Sequence, residues 1–410
     1  MNKQEKIKPI HIYLFVCFSA LFNLSTHLGL LFMLPVLFTG IATKSLKFNK
    51  LDTAIIIYTA LCFLLYFTYE DNVLVGFKNF MVFVFMPVTF YFSARIINKK
   101  DVSDYLIIKV LLLALFFYVV NSFFRDPNGN FTLNLGSNLY YLIRSEQYMR
   151  TDVDYDFING TNISLLIVTI PTLGMTLLRD KKLNMFLFLG LLFVSCVMLF
   201  TAASRTAIVA FAAIIVLYIY YTLNKKNGIR TLIGILVIMT VIGLILSQTD
   251  FTQTAIQRFQ EKTLDAGADQ LYGLGLRAII WTFAFSELST NFLGYGHKYF
   301  YDKYELTTHN ELLGQLVATG FIPTIFYFFF IIRIVLMLMN IKRNEKDAIS
   351  YLAIYLTALY GLIGLTENIT VGNRGWMLLF FFVLGLTNTP KSKLQEKINE
   401  SGKPALPNSS

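Results

Sequence analysis

Cysteine is almost missing from this chain: Cys17, Cys62 and Cys196 are its only three, scattered through apolar runs with no CxxC or histidine spacing around them. That excludes a disulfide framework and a zinc site, and makes the three thiols small packing hydrophobes. There is no small-residue cleavage pattern after the basic start MNKQEKIKPI, so an uncleaved first helix is expected rather than a removed signal peptide. Nor is there an internal repeat of the kind that marks many transporters, or a Pro- or Ser-rich linker before the polar tail. No acid sits in the middle of an apolar run. Transport coupled to ions or protons usually needs ionisable groups near the bilayer midplane. Their scarcity counts against a transporter or lipid-linked sugar flippase, which stays as the alternative from another class.

What is present is hydrophobic residue, 55% of 410 positions, with a mean hydropathy of +0.58. A soluble domain is about 45–50% apolar even with glycine counted, so the chain reads as an integral membrane protein. A span needs about 20 mainly apolar residues. Runs of that kind fall at about 10–24, 27–43, 52–69, 72–94, 103–124, 158–178, 184–201, 204–223, 229–247, 314–338, 349–365 and 375–388. The expected fold is all-α and polytopic, with about 12 transmembrane helices in a single membrane domain over 1–388 and a polar cytoplasmic tail over 389–410. Two loops are large, about 125–157 and 248–313, the second lying between the ninth and tenth spans and containing short helices.

With both termini placed in the cytoplasm, the inside segments hold 22 of the 35 basic residues, about three per loop and four in the tail. That is the positive-inside bias, so the net charge of +10 reports topology and does not imply nucleic acid. The inside set is mostly lysine. The outside set has seven arginines, Arg125, Arg144, Arg150, Arg205, Arg258, Arg277 and Arg374, and three lysines. A guanidinium grips phosphate or carboxylate through two parallel hydrogen bonds, although loop or headgroup contacts would use the same residues.

The large second loop reads as a 252–264 amphipathic segment, a glycine-containing break, and an apolar helix over 276–288 that is too short to span. Arg277 and Trp281 share a face of that helix, poised for an anion or anchored in the interface. Gly294-Tyr295-Gly296 allows a tight turn, and His297 follows it as a loop residue. Then comes Thr307-Thr308-His309-Asn310-Glu311-Leu312-Leu313 at the lip of the tenth span. An imidazole there can move a proton at neutral pH or donate to a phosphate. Arg205 stands in a minimal turn between spans seven and eight, and Glu367 and Arg374 precede the last span. The run Asp152-Val153-Asp154-Tyr155-Asp156 begins like a calcium loop, but Phe157 replaces the required glycine and Ile163 the bidentate glutamate.

Ser204-Arg205-Thr206 at a helix start, Leu276-Arg277 followed by Trp281, the Gly-Tyr-Gly turn, and His309-Asn310-Glu311-Leu312-Leu313 with the later Gly320 resemble, in their order and common sidedness, the bacterial O-antigen ligase and O-antigen polymerase superfamily. The resemblance covers about 195–385. It implies transfer of a glycan from an undecaprenyl pyrophosphate carrier on the outer side of the cytoplasmic membrane, with inversion at the anomeric carbon and without a metal or other cofactor. The acceptor is a second carrier-linked glycan for the polymerase, which the reading favours, or lipid A core for the ligase. Membrane lipids and a chain-length regulator are further partners. By position, Arg205, Arg277 and His309 match the family's essential residues. Arg374, Trp281, Asn310, Glu311 and Glu367 complete the substrate-binding set, the two glutamates standing in reserve as base.

Overall fold

The computed structural model describes residues 7–23, 26–46, 48–69, 73–98, 102–123, 160–202, 205–222, 233–234, 237, 240, 274–304, 306–340 and 347–387. These are all-helical, in the order α1 (Pro9–Asn23), α2 (Thr26–Ala42), α3 (Lys50–Tyr69), α4 (Val73–Phe80), a π turn (Met81–Phe85), α5 (Met86–Asn98), α6 (Asp104–Phe123), α7 (Gly160–Arg179), α8 (Met185–Ala202), α9 (Arg205–Thr222), α10 (Leu274–Thr290), α11 (Tyr299–Tyr304), α12 (Glu311–Thr319), α13 (Phe321–Asn340), α14 (Ala348–Gly364), α15 (Ile369–Gly372) and α16 (Arg374–Thr387). Among them, Lys50–Tyr69, Val73–Ile97 and Phe321–Asn340 are long and apolar enough to cross a bilayer, and seven shorter apolar helices accompany them. The chain is a helical membrane protein. Most of the expected ninth span, all but 233–234, 237 and 240, lies outside the described residues, as do the 125–157 loop with its Asp152–Asp156 run, the 252–264 segment and the tail.

Aromatic and branched side chains make one continuous core through the bundle, with α5 packed along α16, α1 along α6, and α3 along α13. In hydrocarbon, helix association rests on close van der Waals contact, which favours small residues at crossings. Gly385 of α16 is such a point: a Cβ there would come 2.1 Å from the Tyr91 carbonyl oxygen of α5. The three cysteines are buried, as packing residues should be.

One expected span is interrupted. The run 314–338 is not one helix but α12 and α13, parted at Gly320 with φ 75°. The carbonyls that α12 leaves unpaired at its end are taken by the preceding loop: Tyr295 N–H donates to Val317 O at 2.9 Å and Gly296 N–H to Ala318 O at 2.8 Å. Gly294 (φ 92°) lies so close that a Cβ would meet the Gly320 nitrogen at 2.5 Å. The Gly-Tyr-Gly turn is therefore a cap for α12, and α13 alone has the length of a span.

The bundle's ends differ. At one end Arg95 of α5 pairs with Asp52 of α3, both fully buried, and Tyr91 Oη adds a 2.9 Å bond to the same carboxylate. Arg179 closes α7 at that end, its guanidinium 3.4 Å from the Tyr351 ring centre and bidentate to Asp180. The opposite end carries Arg277, His309, Glu367 and Arg374. That separation is the one the charge alternation leads one to expect.

Candidate active site

Residues 308–311 and 365–370 are laced together side chain by side chain. Asn368 Nδ2 donates to Thr308 Oγ1 at 3.2 Å. His309 Nδ1 meets Glu367 Oε2 at 3.2 Å. Asn310 Nδ2 donates to the Leu365 carbonyl at 3.3 Å. Glu311 accepts from the Thr370 N–H at 3.0 Å and from its hydroxyl. Four successive residues thus each hold the second segment, which explains why an imidazole, an amide and a carboxylate stand in a row at this lip.

Local geometry makes the row possible. Asn310 is extended and caps α12, its Oδ1 accepting from Leu313 N–H at 3.0 Å. The amide therefore caps with its oxygen and laces with its nitrogen. Just before it the chain must turn sharply, and His309 adopts φ 46°. A left-handed conformation in a residue other than glycine costs on the order of 1–3 kcal/mol and persists where neighbours over-determine it. The bonds on both sides of His309 do so.

α10 brings two more residues to the row. Arg277 Nη2 stands 3.8 Å from Glu367 Oε1, and Trp281 Nε1 donates to the Thr308 carbonyl at 3.1 Å. Glu367 consequently has one oxygen towards the guanidinium and the other towards the imidazole. Arg277 and His309 are about one-third exposed, 33% and 31%, so both still reach solvent. A carboxylate only accepts, so its bond fixes the proton of neutral His309 on Nδ1 and leaves the Nε2 lone pair open.

Glu311 is placed differently. It is 2% exposed, and besides Thr370 it accepts from Tyr360 Oη at 3.1 Å and Gln315 Nε2 at 3.0 Å. Arg205 opens α9; its side chain is outside the described set, but the next residue, Thr206, is joined to Thr366 at 3.2 Å. That joins the start of α9 to the turn holding Glu367. Arg374 opens α16, its guanidinium 5.2 Å from the Phe83 ring centre in the π turn.

The sequence marks His297 only as a loop residue. The structure buries it, stacked on Phe83 at 4.9 Å and 6°, with Nδ1 bonded to Tyr66 Oη. Loss of hydration pushes its pKa down to about 3, opposed only weakly by Gln315. Thr308, Asn368 and Thr370 were missed as well, although a polar run after an apolar helix end was the available signal. A second polar cluster, also unforeseen, joins α10 to α11. Glu287 there receives Lys303 Nζ at 2.6 Å, Tyr299 Oη at 2.8 Å and Tyr304 Oη. Burial opposes ionisation of Glu287, but these three bonds prevail and hold its pKa below the usual range.

Fold and row together define a helical membrane protein with a guanidinium, an imidazole and a carboxylate gathered at one end of its bundle. Residues 190–328 match the family described as O-antigen ligase. The matched stretch takes in Arg205, Arg277, Trp281 and His309–Glu311; Glu367 and Arg374 lie beyond it. No curated protein matches the chain at a significant level.

Proposed function

We propose that the protein transfers an undecaprenyl pyrophosphate-linked glycan on the outer side of the bacterial cytoplasmic membrane, as a repeat-unit polymerase of O-antigen or a related surface polysaccharide. The observation that carries this reading is Glu367 standing between Arg277 and His309. His309 Nε2 takes the proton of the acceptor hydroxyl. The freed oxygen bonds to the anomeric carbon with inversion, the bond from that carbon to the pyrophosphate oxygen breaks, and undecaprenyl pyrophosphate leaves. Arg277, with Arg205 at the start of the neighbouring α9, meets the charge that grows on the leaving group, which preorganised donors in a water-poor site stabilise well. Glu367 keeps the imidazole oriented throughout. Asn310 and Trp281 shape the site, and Arg374 is a second contact for the donor phosphates.

The charge alternation supports a single membrane domain over 1–388 with both termini cytoplasmic, a cytoplasmic tail over 389–410 and the His309 end facing outward. Ligation to lipid A core is the second reading, favoured by the description of the matched family as O-antigen ligase. Both use the same donor site and differ in acceptor. The test is the size-resolved surface glycan of a deletion strain. Core bearing a single repeat unit identifies the polymerase; bare core with long chains stranded on the carrier identifies the ligase. Intermediates trapped on the cytoplasmic face would instead indicate a flippase and overturn the proposal.

A further inference from the structure

We propose that Glu311 is a positioning residue for glycan transfer, and that it acts by locking the segment carrying Glu367 against His309. The inference rests on the reading of His309 as base and Glu367 as its orienting carboxylate. Glu311 itself is unsuited to touching substrate. Its carboxylate receives four donors from three elements: Gln315 Nε2 of its own helix, Tyr360 Oη of α14, and the N–H and hydroxyl of Thr370 in α15. The end of α14 closes over its stem, where a Cβ on Gly364 would lie 3.1 Å from Glu311 Cβ. At 2% exposure the carboxylate is closed off from a sugar hydroxyl.

What those bonds do is mechanical. Glu311 and His309 lie two residues apart on one segment, Thr370 and Glu367 three apart on the other. The buried Glu311–Thr370 contact and the solvent-reaching His309–Glu367 contact are therefore rungs of one ladder, and the inner one is shielded from water. Gln315 braces it by donating from the same Nε2 to Thr370 Oγ1 at 2.8 Å. Three of the donors converge on Oε1, while the Thr370 N–H alone addresses Oε2. A glutamine in this place has one acceptor oxygen, and either orientation of its amide sets an NH₂ against a donor. Glu311→Gln should therefore open the inner rung although it is nearly isosteric.

The experiment measures two things in the deletion strain at matched membrane levels. One is the initial rate of surface-glycan accumulation for Glu311→Gln, Glu367→Gln and the double variant. The other is the rate of disulfide formation in membranes between Thr308→Cys and Asn368→Cys, with Glu311 intact or changed to Gln. Displacement of a catalytic group by about 1 Å can cost on the order of 10²-fold, so Glu311→Gln is expected to lose about that factor. The double variant should be no slower than Glu367→Gln alone, and cross-linking should slow. Thr370→Val, which removes one donor and leaves the carboxylate, should lose rate in the same direction and keeps the test open if Glu311→Gln fails to accumulate. Additive losses in the double variant, a full rate for Glu311→Gln, or unchanged cross-linking would each overturn the proposal. Full activity of Glu367→Gln and His309→Ala would instead remove the base reading and the transfer role with it, while cross-linking still reports whether Glu311 holds the two segments together.

Discussion

Glu367 offers one carboxylate oxygen to His309 Nδ1 at 3.2 Å, although 58 residues separate the two in the chain. Its other oxygen lies 3.8 Å from the Arg277 guanidinium. A carboxylate between a cation and an imidazole can act in two opposite ways. It can orient the imidazole as a base, or it can occupy the arginine and keep it from an anionic substrate. The two roles predict opposite signs for its removal.

Under the orienting role, Glu367→Gln lowers the rate of glycan transfer, because an amide can turn its NH₂ to His309 and favour the wrong tautomer. A loss of about 10²-fold or more is expected, within the range a general base contributes. An increase in transfer on removing the carboxylate would mean that Glu367 restrains Arg277 instead. Surface-glycan accumulation at matched protein levels distinguishes the two.

Arg277→Ala should cost about 10²–10³ in rate, the usual loss of one charge-stabilising donor. Arg277→Lys keeps the charge but loses the planar fork, so its rate should fall between wild type and alanine. His309→Ala should lose about 10²–10⁴. Complementation of the deletion strain by both alanine variants at wild-type levels would sink the proposed site.

The sequence made the helices readable because hydropathy acts locally: α1 to α9, α14 and α16 fall within a few residues of the apolar runs. The division at Gly320 was less readable, since apolar residues continue across it and only the backbone bonds from Tyr295 and Gly296 show why the helix ends there. In the site, residue types singled out Arg277, His309 and Glu367, which the structure brings together. Their meeting depends on how α10, α12 and the 365–370 segment pack, which no short-range pattern encodes. Glu311 shows the limit most clearly. As a letter beside His309 it reads like its neighbours, and its burial and four donors come only from the packing.

Gly294 and Gly320 combine positive φ with near contact, so neither tolerates a side chain. Gly294→Ala would force its methyl into the backbone at Gly320, uncoupling the loop from the end of α12. Loss of transfer together with a marked fall in thermal stability in detergent is expected, since a strained alanine costs more than the entropy it saves. A stable and active Gly294→Ala variant would show that this turn does not hold α12.

His297 should give the protein an acid sensitivity of its own. Its pKa is depressed from 6.5 to about 3 by burial, so the folded protein keeps it neutral while an opened loop lets it protonate. Between those two values the open form binds more protons, and stability therefore falls as pH drops through the window from about 6.5 towards 3. A depression of that size corresponds to about 5 kcal/mol at its full extent. Glu287 contributes in the same direction at lower pH: its pKa is held below 4.5 by Lys303 and two tyrosines, and that stabilisation is lost as pH falls through the depressed value. Thermal unfolding of the solubilised protein should therefore shift to lower temperature on acidification from neutral pH to about 5, where the imidazole dominates and Glu287 is still ionised. His297→Gln, which cannot take up a proton there, should flatten this part of the profile even if its stability at neutral pH is lower. An unchanged slope in that variant would assign the acid sensitivity to another group and leave His297 as a stacking residue against Phe83.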